Sequence, residues 1–312
     1  MIDCLFIGST TKDLLMTVDA PPESDQRIRA TSITNTCGGI ASVSASAFQK
    51  LGGDCGLITA VGKPSDATEF IKADISSRKL SFSKIISIPD EESSFSVIQV
   101  ESNGKRCITH FGGCISRLTL EMLDVQTLKA AKMIHIGGLE DSFCAELVKY
   151  CKKNTDAIIS VDGGNITRKA TDKLLPYTDI FVPDDKTVMK TLGLSPKEAC
   201  LYYAEKGVQT VCVTMGEKGS IAYKNGVFTE AAAASVNVID STGAGDNFHG
   251  AFLYCLSRGW EMELTLNFCN TFSGLTCGGM GGIQAEPTLE ETLKKMEEQN
   301  GTGNFKRSIG LC

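Results

Sequence analysis

The segment 240–252 reads DSTGAGDNFHGAF, and the fold expected for the whole chain rests on it. An apolar run, Val236 to Ile239, precedes the segment, and apolar residues at helical spacing follow from Phe248 onwards. This order predicts a strand, a glycine turn and the N-terminus of a helix. Gly243 and Gly245 let the backbone turn tightly and approach a ligand closely. The free N–H groups of the first helical turn would then form an anion site.

Asp246 stands at the start of this expected helix, beside the anion site. A carboxylate next to a bound anion is unfavourable unless it takes part in the chemistry. Accepting a proton while a phosphoryl group is transferred would be such a part. A glycine-rich turn capped by Asp is the alternative, because Asp is common at helix starts. The segment is neither a Walker A loop, since GKS or GKT is missing, nor a GxGxxG fingerprint.

The full string is more specific than a bare GxGD. It resembles the C-terminal signature of the ribokinase-like (PfkB) carbohydrate kinases, D-[ST]-T-G-A-G-D-x-F-x-[AG]-[AG]-[FL]. The resemblance implies that Asp246 is the catalytic base. It implies that the backbone amides of Gly243, Ala244 and Gly245 form the anion hole. It also places Thr242 beside the nucleotide phosphates.

The composition is ordinary for a soluble globular protein. The chain has 312 residues, of which 42% are hydrophobic and 22% charged, enough for one large α/β domain with a small accessory lobe. The net charge of −6 argues against a nucleic-acid or anionic-membrane partner. No apolar run approaches the roughly 20 residues of a membrane span.

The N-terminus and the cysteines indicate the compartment. Residues 1–8, MIDCLFIG, carry an acid and no basic region, so we expect a first strand and not a signal peptide. The 13 cysteines lack any CxxC pair and do not form a disulfide or zinc pattern. Only three histidines occur, too scattered to predict a metal site. We therefore expect a cytoplasmic protein.

Apolar runs typical of strands alternate along the chain with amphipathic segments typical of helices. Such alternation predicts an α/β fold with a doubly wound, mainly parallel sheet flanked by helices, and ligands beyond the carboxyl ends of the strands. The expected domain covers 1–299, with a tail at 300–312. The expected strands are 4–7, 55–61, 84–88, 133–136, 157–161, 179–182 and 208–214, and the helices 41–51, 67–80, 143–151, 264–275 and 287–296.

Two inserted segments, about 14–36 and 93–111, are expected to form a small β-strand lid. The sequence FSVIQVESNGKRCITHF, at 95–111, indicates a hairpin with Asn103-Gly104 at its turn. Residues 14–19 and 27–36 read as two further short strands. The family resemblance implies that four such strands cover the sugar.

The acceptor site is expected around Asp13 and the diglycine Gly38-Gly39. The resemblance implies that Asp13 binds sugar hydroxyls; a loop Asp that caps a turn is the alternative. Gly38 and Gly39 fit the family's N-terminal signature GGxxxNxAxxxxxLG and would approach the acceptor with their backbone. The asparagine of that signature is Val43 here. This departure argues against ribose and simple hexoses bound in the usual way, and an apolar wall would suit a nucleoside base.

The nucleotide site is expected after the strand at 208–214. MGEKGS follows, and the segment resembles the family's V-T-x-G-x-x-G, which implies that Thr214, Gly216 and Gly219 lie against the nucleotide. A plain β-turn is the alternative. Asn270 matches a residue that lines the adenine pocket in relatives, and a helix-surface asparagine is the alternative.

Two further features concern cations. Backbone oxygens near the glycine loop 278–282 and near Asp240 bind potassium in some relatives. The family's N-x-x-E, which organises water around magnesium, is replaced by Asp184 and Thr187 at its two ends. Either Asp184 or Asp185 acts in its place, or the metal is handled differently. Simple helix capping is the alternative.

The sequence thus predicts an ATP- and Mg²⁺-dependent kinase, potentially activated by K⁺, that phosphorylates a hydroxyl of a small sugar or sugar derivative. A nucleoside kinase of the same family is the first alternative. A non-catalytic sugar-binding relative is the second; the intact GAGD argues against it, and the altered N-x-x-E leaves it open. Because lid edges often pair between subunits in relatives, we expect a homodimer with no nucleic-acid or membrane partner.

Overall fold

The computed structural model describes residues 1–101 and 103–300, with only the backbone of Asn300. Its strands, in chain order, are β1 (Ile2–Gly8), β2 (Thr11–Val18), β3 (Ser32–Gly38), β4 (Cys55–Val61), β5 (Phe82–Ser87), β6 (Phe95–Glu101), β7 (Arg106–Phe111), β8 (Ala131–Gly137), β9 (Ile158–Asp162), β10 (Ile180–Val182), β11 (Thr210–Thr214), β12 (Ser220–Lys224) and β13 (Val227–Ala231).

The helices occupy the connections between these strands. In chain order they are α1 (Ile40–Lys50), α2 (Asp66–Ser77), α3 (Val125–Lys129), α4 (Asp141–Asn154), α5 (Arg168–Leu174), α6 (Asp185–Leu192), α7 (Pro196–Glu205), α8 (Ala244–Ser257), α9 (Met262–Thr276) and α10 (Leu289–Asn300). None of these helices is long and apolar enough to cross a membrane.

The larger sheet has nine strands in the order β13-β12-β11-β10-β9-β8-β1-β4-β5. The pairs from β5 through to β11 are parallel, whereas β12 and β13 form an antiparallel edge. The chain winds in opposite directions on the two sides of β1, which lies between β4 and β8. The crevice at the carboxyl ends of β1 and β8 is therefore the topological switch point, where doubly wound sheets bind ligands. The predicted fold class is confirmed.

Helices cover both faces of the sheet, so its central strands are apolar along their whole length. All seven residues of β4, for example, are buried. One apolar cluster lies on the α4 and α7 side, and a second lies under α1, α8 and α9. On the second side α1 and α8 cross closely, because α1 presents small residues and α8 presents Gly250. A Cβ atom at Gly250 would overlap Ser44 O and lie 2.7 Å from Ala47 Cβ.

The smaller sheet is the predicted lid, with the order β3-β2-β6-β7. The expected hairpin is present, with Asn103 and Gly104 between β6 and β7. Side chains alternate across the sheet, and the strand register places four polar residues in one row on its inner face. This row consists of Thr36, Asp13, Ser96 and His110.

Four expectations require correction. The apolar run at 236–239 is not a strand: Val236 lies against α9 at Gly274, and Val238 lies against Gly104 of the lid. Strand β2 begins at Thr11, so Asp13 belongs to a strand and not to a turn. In the first lid segment, β3 begins only at Ser32 and not at residue 27. The last helix extends to residue 300, and the rest of the predicted tail, 301–312, lies outside the described residues.

We predict that Gly250→Ala destabilises the fold, because the new methyl group has no room between α8 and α1. Overpacking of this kind costs about 1–3 kcal/mol of unfolding free energy, which urea denaturation would measure. Gly245→Ala is the matched control within the same helix, since a Cβ there meets no atom within 4 Å. Equal stability of the two variants would contradict the close crossing.

Candidate active site

The N-terminus of α8 points into the crevice at the switch point. Gly243 is the N-cap residue, and its φ of 73° lies in the left-handed region that favours glycine. Asp246 is the third residue of the helix. Amides of a first helical turn lack partners within their helix. Ala244 N donates to Ser241 O at 3.3 Å, so the amides of Gly245 and Asp246 are the ones best placed to meet an anion. The structure therefore brings the four predicted catalytic positions together at one helix start.

The glycine loop 278–282 packs directly on this helix start. A Cβ atom at Gly243 would lie 2.9 Å from the Cα atom of Gly282, closer than atoms normally approach. A Cβ atom at Gly282 would in turn lie 3.2 Å from the Cα atom of Gly243. The two backbones thus touch, which explains why both positions are glycine. Val43 is buried against the same turn, so it offers a ligand little apolar surface.

Asp240 and Asn247 hold the two segments in contact. The Asp240 carboxylate accepts hydrogen bonds from Thr242 N at 2.9 Å and from Gly281 N at 2.9 Å. The Asn247 side-chain amide donates to Gly243 O at 3.0 Å and to Gly282 O at 2.9 Å. Sequence reasoning missed Asn247. The available signal was an amide side chain directly before the apolar run that begins at Phe248. A polar side chain buried at such a position needs hydrogen-bond partners, and Asn247 is fully buried.

The catalytic candidate lies in a strongly acidic environment. Burial raises the pKa of Asp246 to about 7, and the nearby Asp162 carboxyl adds to this effect. His249 and Arg106 act on it in the opposite direction. Asp246 is thereby poised to exchange a proton near neutral pH, as a general base requires.

On the acceptor side, Asp13 lies in the polar row of the lid. It is 5% exposed, and Thr11 Oγ1 donates to its Oδ1 at 2.7 Å. Burial raises its pKa, which the hydroxyls of Thr11 and Ser96 partly offset. A Cβ atom at Gly38 would overlap Asp13 Oδ2, so the diglycine makes room for this carboxylate. Gly39 caps α1 with a φ of 92°.

The lid rests on the glycine loop. Its inner residues Leu15, Ile98 and Val100 form a small apolar cluster against Met280 of the glycine loop. Beside them, Arg106 on β7 donates a hydrogen bond to the Ser241 hydroxyl. Arg106 was recognised from the sequence only as the start of a strand, although its charge acts on Asp246.

The predicted nucleotide residues surround the turn between β11 and β12. Thr214 ends β11, and a Cβ atom at Gly219 would overlap Ala231 O. Asn270 is buried and not on the helix surface: its Oδ1 accepts from Ser220 Oγ at 3.0 Å, and its Nδ2 donates to Ala231 O at 2.9 Å. Asn270 therefore ties α9 to the strands beside Gly216 and Gly219.

The acids at the start of α6 do not form a metal cage. Asp184 caps the helix, with Oδ1 accepting from Thr187 N at 2.9 Å and Oδ2 accepting from Thr187 Oγ1 at 2.7 Å. Within 1–101 and 103–300, no group of three or more His, Cys, Asp or Glu side chains could enclose a metal ion. The capping interpretation of Asp184 therefore accounts for its contacts.

A doubly wound sheet, an antiparallel lid and a carboxylate at a glycine-walled helix start define a ribokinase-like small-molecule kinase. A sequence model described as pfkB family carbohydrate kinase matches residues 1–289. The chain belongs to this family and is a phosphotransferase.

Two curated relatives align along nearly their whole length. A ribokinase of Staphylococcus aureus is 26% identical over 298 residues, covering 92% of this chain and 97% of the relative. A nucleoside kinase of Methanothermobacter thermautotrophicus is 24% identical over 307 residues, covering 96% of this chain and 97% of the relative.

Two solved structures share the fold. Arabidopsis thaliana ribokinase, complexed with ribose and ATP, gives a TM-score of 0.79 at 20% identity, covering 95% of this chain and 99% of that one. A second structure is provisionally described as an Escherichia coli ribokinase II in complex with ATP and Mg²⁺. It gives a TM-score of 0.82 at 21% identity, covering 96% of this chain and 100% of that one.

We predict that Asn247→Ala weakens ATP binding, because the glycine loop loses its side-chain link to the start of α8. The thermal shift produced by ATP should shrink, with an intrinsic stability loss of about 1–3 kcal/mol, because Gly282 O loses its side-chain donor while Gly243 O keeps the bond from the backbone N–H of residue 247. Asn267→Ala is the control, since that amide makes a single exposed contact, to Glu263 O. An unchanged ATP response in the Asn247 variant would contradict this role.

Proposed function

We propose that the chain transfers the γ-phosphoryl group of ATP to a hydroxyl of a small sugar or sugar derivative. The observation that carries the proposal is the position of Asp246, a carboxyl with a pKa raised to about 7 at the anion-binding start of α8. Asp13 lies on the lid across the same crevice, since its charge also acts on Asp246. A hydroxyl bound between these carboxylates would face the helix start.

In this mechanism Asp246 accepts the proton of the acceptor hydroxyl as its oxygen attacks the γ-phosphorus in line. The amides of Gly243, Ala244 and Gly245 stabilise the charge that develops on the transferred group. Arg106, the lid cation near Asp246, offsets part of the same negative charge. Asp13, with the backbone of Gly38 and Gly39, orients the acceptor.

The nucleotide would extend from Thr214, Gly216 and Gly219, past Thr242, to the glycine loop, with Asn270 supporting the strands behind it. Mg²⁺ commonly keeps several waters and is held largely by substrate phosphates. We therefore expect it to enter with ATP, consistent with the capped state of Asp184. Potassium activation stays a prediction, which assays with K⁺ and with Na⁺ would test.

A nucleoside acceptor is the second candidate. The apolar residues Leu15 and Ile98 on the inner face of the lid, together with Met280, favour it, because they would contact a planar base if the lid opened to admit one. The nucleoside kinase among the relatives shows that the family includes this chemistry.

We predict that Asp246→Asn abolishes turnover and leaves ATP binding intact. A panel of sugars, sugar acids, polyols and nucleosides would be screened by thermal shift with ATP and Mg²⁺, and stabilising compounds would enter a coupled ADP-release assay. Loss of a general base lowers kcat by about 10²–10⁴-fold. Asp172→Asn, an exposed acid on α5, is the control.

Two outcomes would contradict the proposal. Turnover by Asp246→Asn near the wild-type rate would show that Asp246 is not the general base. Tight binding without phosphorylation by the wild-type protein would favour the non-catalytic sugar-binding alternative.

We also expect a homodimer that pairs through the lids, in a cytoplasmic setting. Three large apolar lid residues are exposed by half or more: Ile33 at 63%, Ile108 at 51% and Phe111 at 53%. Sedimentation velocity should give twice the chain mass of 33.4 kDa. Ile33→Asp combined with Phe111→Asp should give a folded monomer, and a monomeric wild type at micromolar concentration would overturn the expectation.

A further inference from the structure

A polar strip crosses the apolar face of the sheet directly beneath α8. It consists of His135 on β8, Ser160 and Asp162 on β9, and His249 on α8 itself. The strand register pairs His135 with Ser160, and His135 Nδ1 lies 3.0 Å from Ser160 Oγ. The His249 ring packs on the His135 ring with centroids 5.3 Å apart, and His249 Nε2 lies 3.8 Å from Asp162 Oδ1.

This strip destabilises the folded state. His135, His249 and Asp162 are 0%, 5% and 7% exposed. Among the described residues, His135 Nε2 and His249 Nδ1 are buried with no hydrogen-bond partner. Unpaired buried polar atoms destabilise a protein, so stability does not explain them. Buried titratable groups beside a reactive carboxyl are candidates for a functional role.

The strip connects to Asp246. His249 follows Asp246 by three residues, so both side chains lie on the same face of α8. Asp162 accepts a 2.6 Å hydrogen bond from Gly164 N, which fixes its carboxyl at the end of β9. Each side chain acts electrostatically on its neighbours: Asp162 on Asp246, and Asp246 on His249.

We propose that Asp162 is a positioning residue for the phosphoryl transfer: this buried carboxyl acts on the partly exposed carboxyl of Asp246, and it makes Asp246 a stronger proton acceptor than an ordinary carboxylate. His249 is the neutral spacer that keeps Asp162 in place. This inference rests on the function proposed above, with Asp246 as the base.

The electrostatics agree with this geometry. Burial raises the pKa of Asp162 to about 7, the same value as for Asp246, and Asp184 adds to the shift. Burial lowers the pKa of His249 to about 4, so this ring is neutral at the pH of an assay. A pH dependence near neutrality therefore belongs to these two carboxyls and not to the histidine.

Other charged groups face the pair, and each has a defined effect. Arg106 of β7 lowers the pKa of Asp246, and Asp13 of β2 raises it by a smaller amount. Asp184, before α6, acts on Asp162 and His249. His135 of β8 is held neutral by burial. Asp162 exceeds all of these in its effect on Asp246 and is therefore the residue to test.

The proton balance is complete. The bond from the acceptor oxygen to the γ-phosphorus forms as the bond from that phosphorus to the bridging oxygen of ADP breaks. The hydroxyl proton passes to Asp246 and leaves to solvent after the phosphorylated product departs. Asp162 exchanges no atom with the substrate.

The test is the pH profile of kcat/KM for an acceptor found by the screen. The wild type should show a rising limb near pH 7. Asp162→Asn keeps the acceptor atom for Gly164 N and should move the limb about one pH unit or more towards acid. Asp172→Asn, at the exposed acid on α5, should leave the limb within about 0.3 pH units. An unmoved limb in Asp162→Asn, or an equal movement in Asp172→Asn, would overturn the proposal.

A second readout does not depend on turnover. The thermal midpoint of the unliganded protein would be measured from pH 5 to 8. Groups whose folded pKa is raised stabilise at low pH and lose that contribution as pH rises through about 7. The wild-type midpoint should therefore fall more steeply over this range than that of Asp162→Asn, with Asp172→Asn parallel to the wild type.

The two readouts separate the two failures. If no acceptor is phosphorylated but the stability slopes differ as expected, the carboxyl pair stands and the kinase proposal fails. If turnover is found and both the limb and the slope are insensitive to Asp162→Asn, the pair is refuted and the kinase proposal stands.

Discussion

The start of α8 depends on a buried contact between two pieces of backbone. Gly243 and Gly282 lie against each other, and Asp240 and Asn247 bridge the same two segments with hydrogen bonds. Each such bond contributes only about 0.5–1.5 kcal/mol net, but an orphaned partner costs more. The amides that face the crevice are therefore positioned by the glycine loop as much as by their own helix.

The lid uses the same region as its support. Met280 of the glycine loop contacts the apolar inner face of the lid, and Val238 and Ser241 contact its β6–β7 hairpin. Residues 238–241 and the glycine loop thus support the lid and also form the wall beside the start of α8. A change in the glycine loop reaches both halves of the crevice through direct contacts.

Periodicity and one signature were enough to predict most of the fold, because parallel strands buried on both faces leave long apolar runs in the sequence. The run at 236–239 misled for the same reason: its three β-branched apolar residues suit a strand, but they also suit a segment packed between a helix and the lid. Asp13 falls just outside the expected strand 14–19, because the polar start of β2 lacks apolar alternation. The pairing of Asp162 with His249 requires the register of β9 under α8, which no local pattern contains.

The buried strip beneath α8 has a consequence for the energetics of the reaction. Asp162 and Asp246 each prefer the protonated form up to about pH 7, so the native state loses stability as the pair ionises. The stability contribution of His249 depends on pH in the opposite direction, because its neutral form is lost as the pH falls towards 4. At neutral pH the unliganded site therefore holds negative charge at a cost to the fold. In the mechanism proposed above, a proton taken from an acceptor hydroxyl neutralises Asp246, so the electrostatic cost of the ionised pair would fall in the chemical step itself.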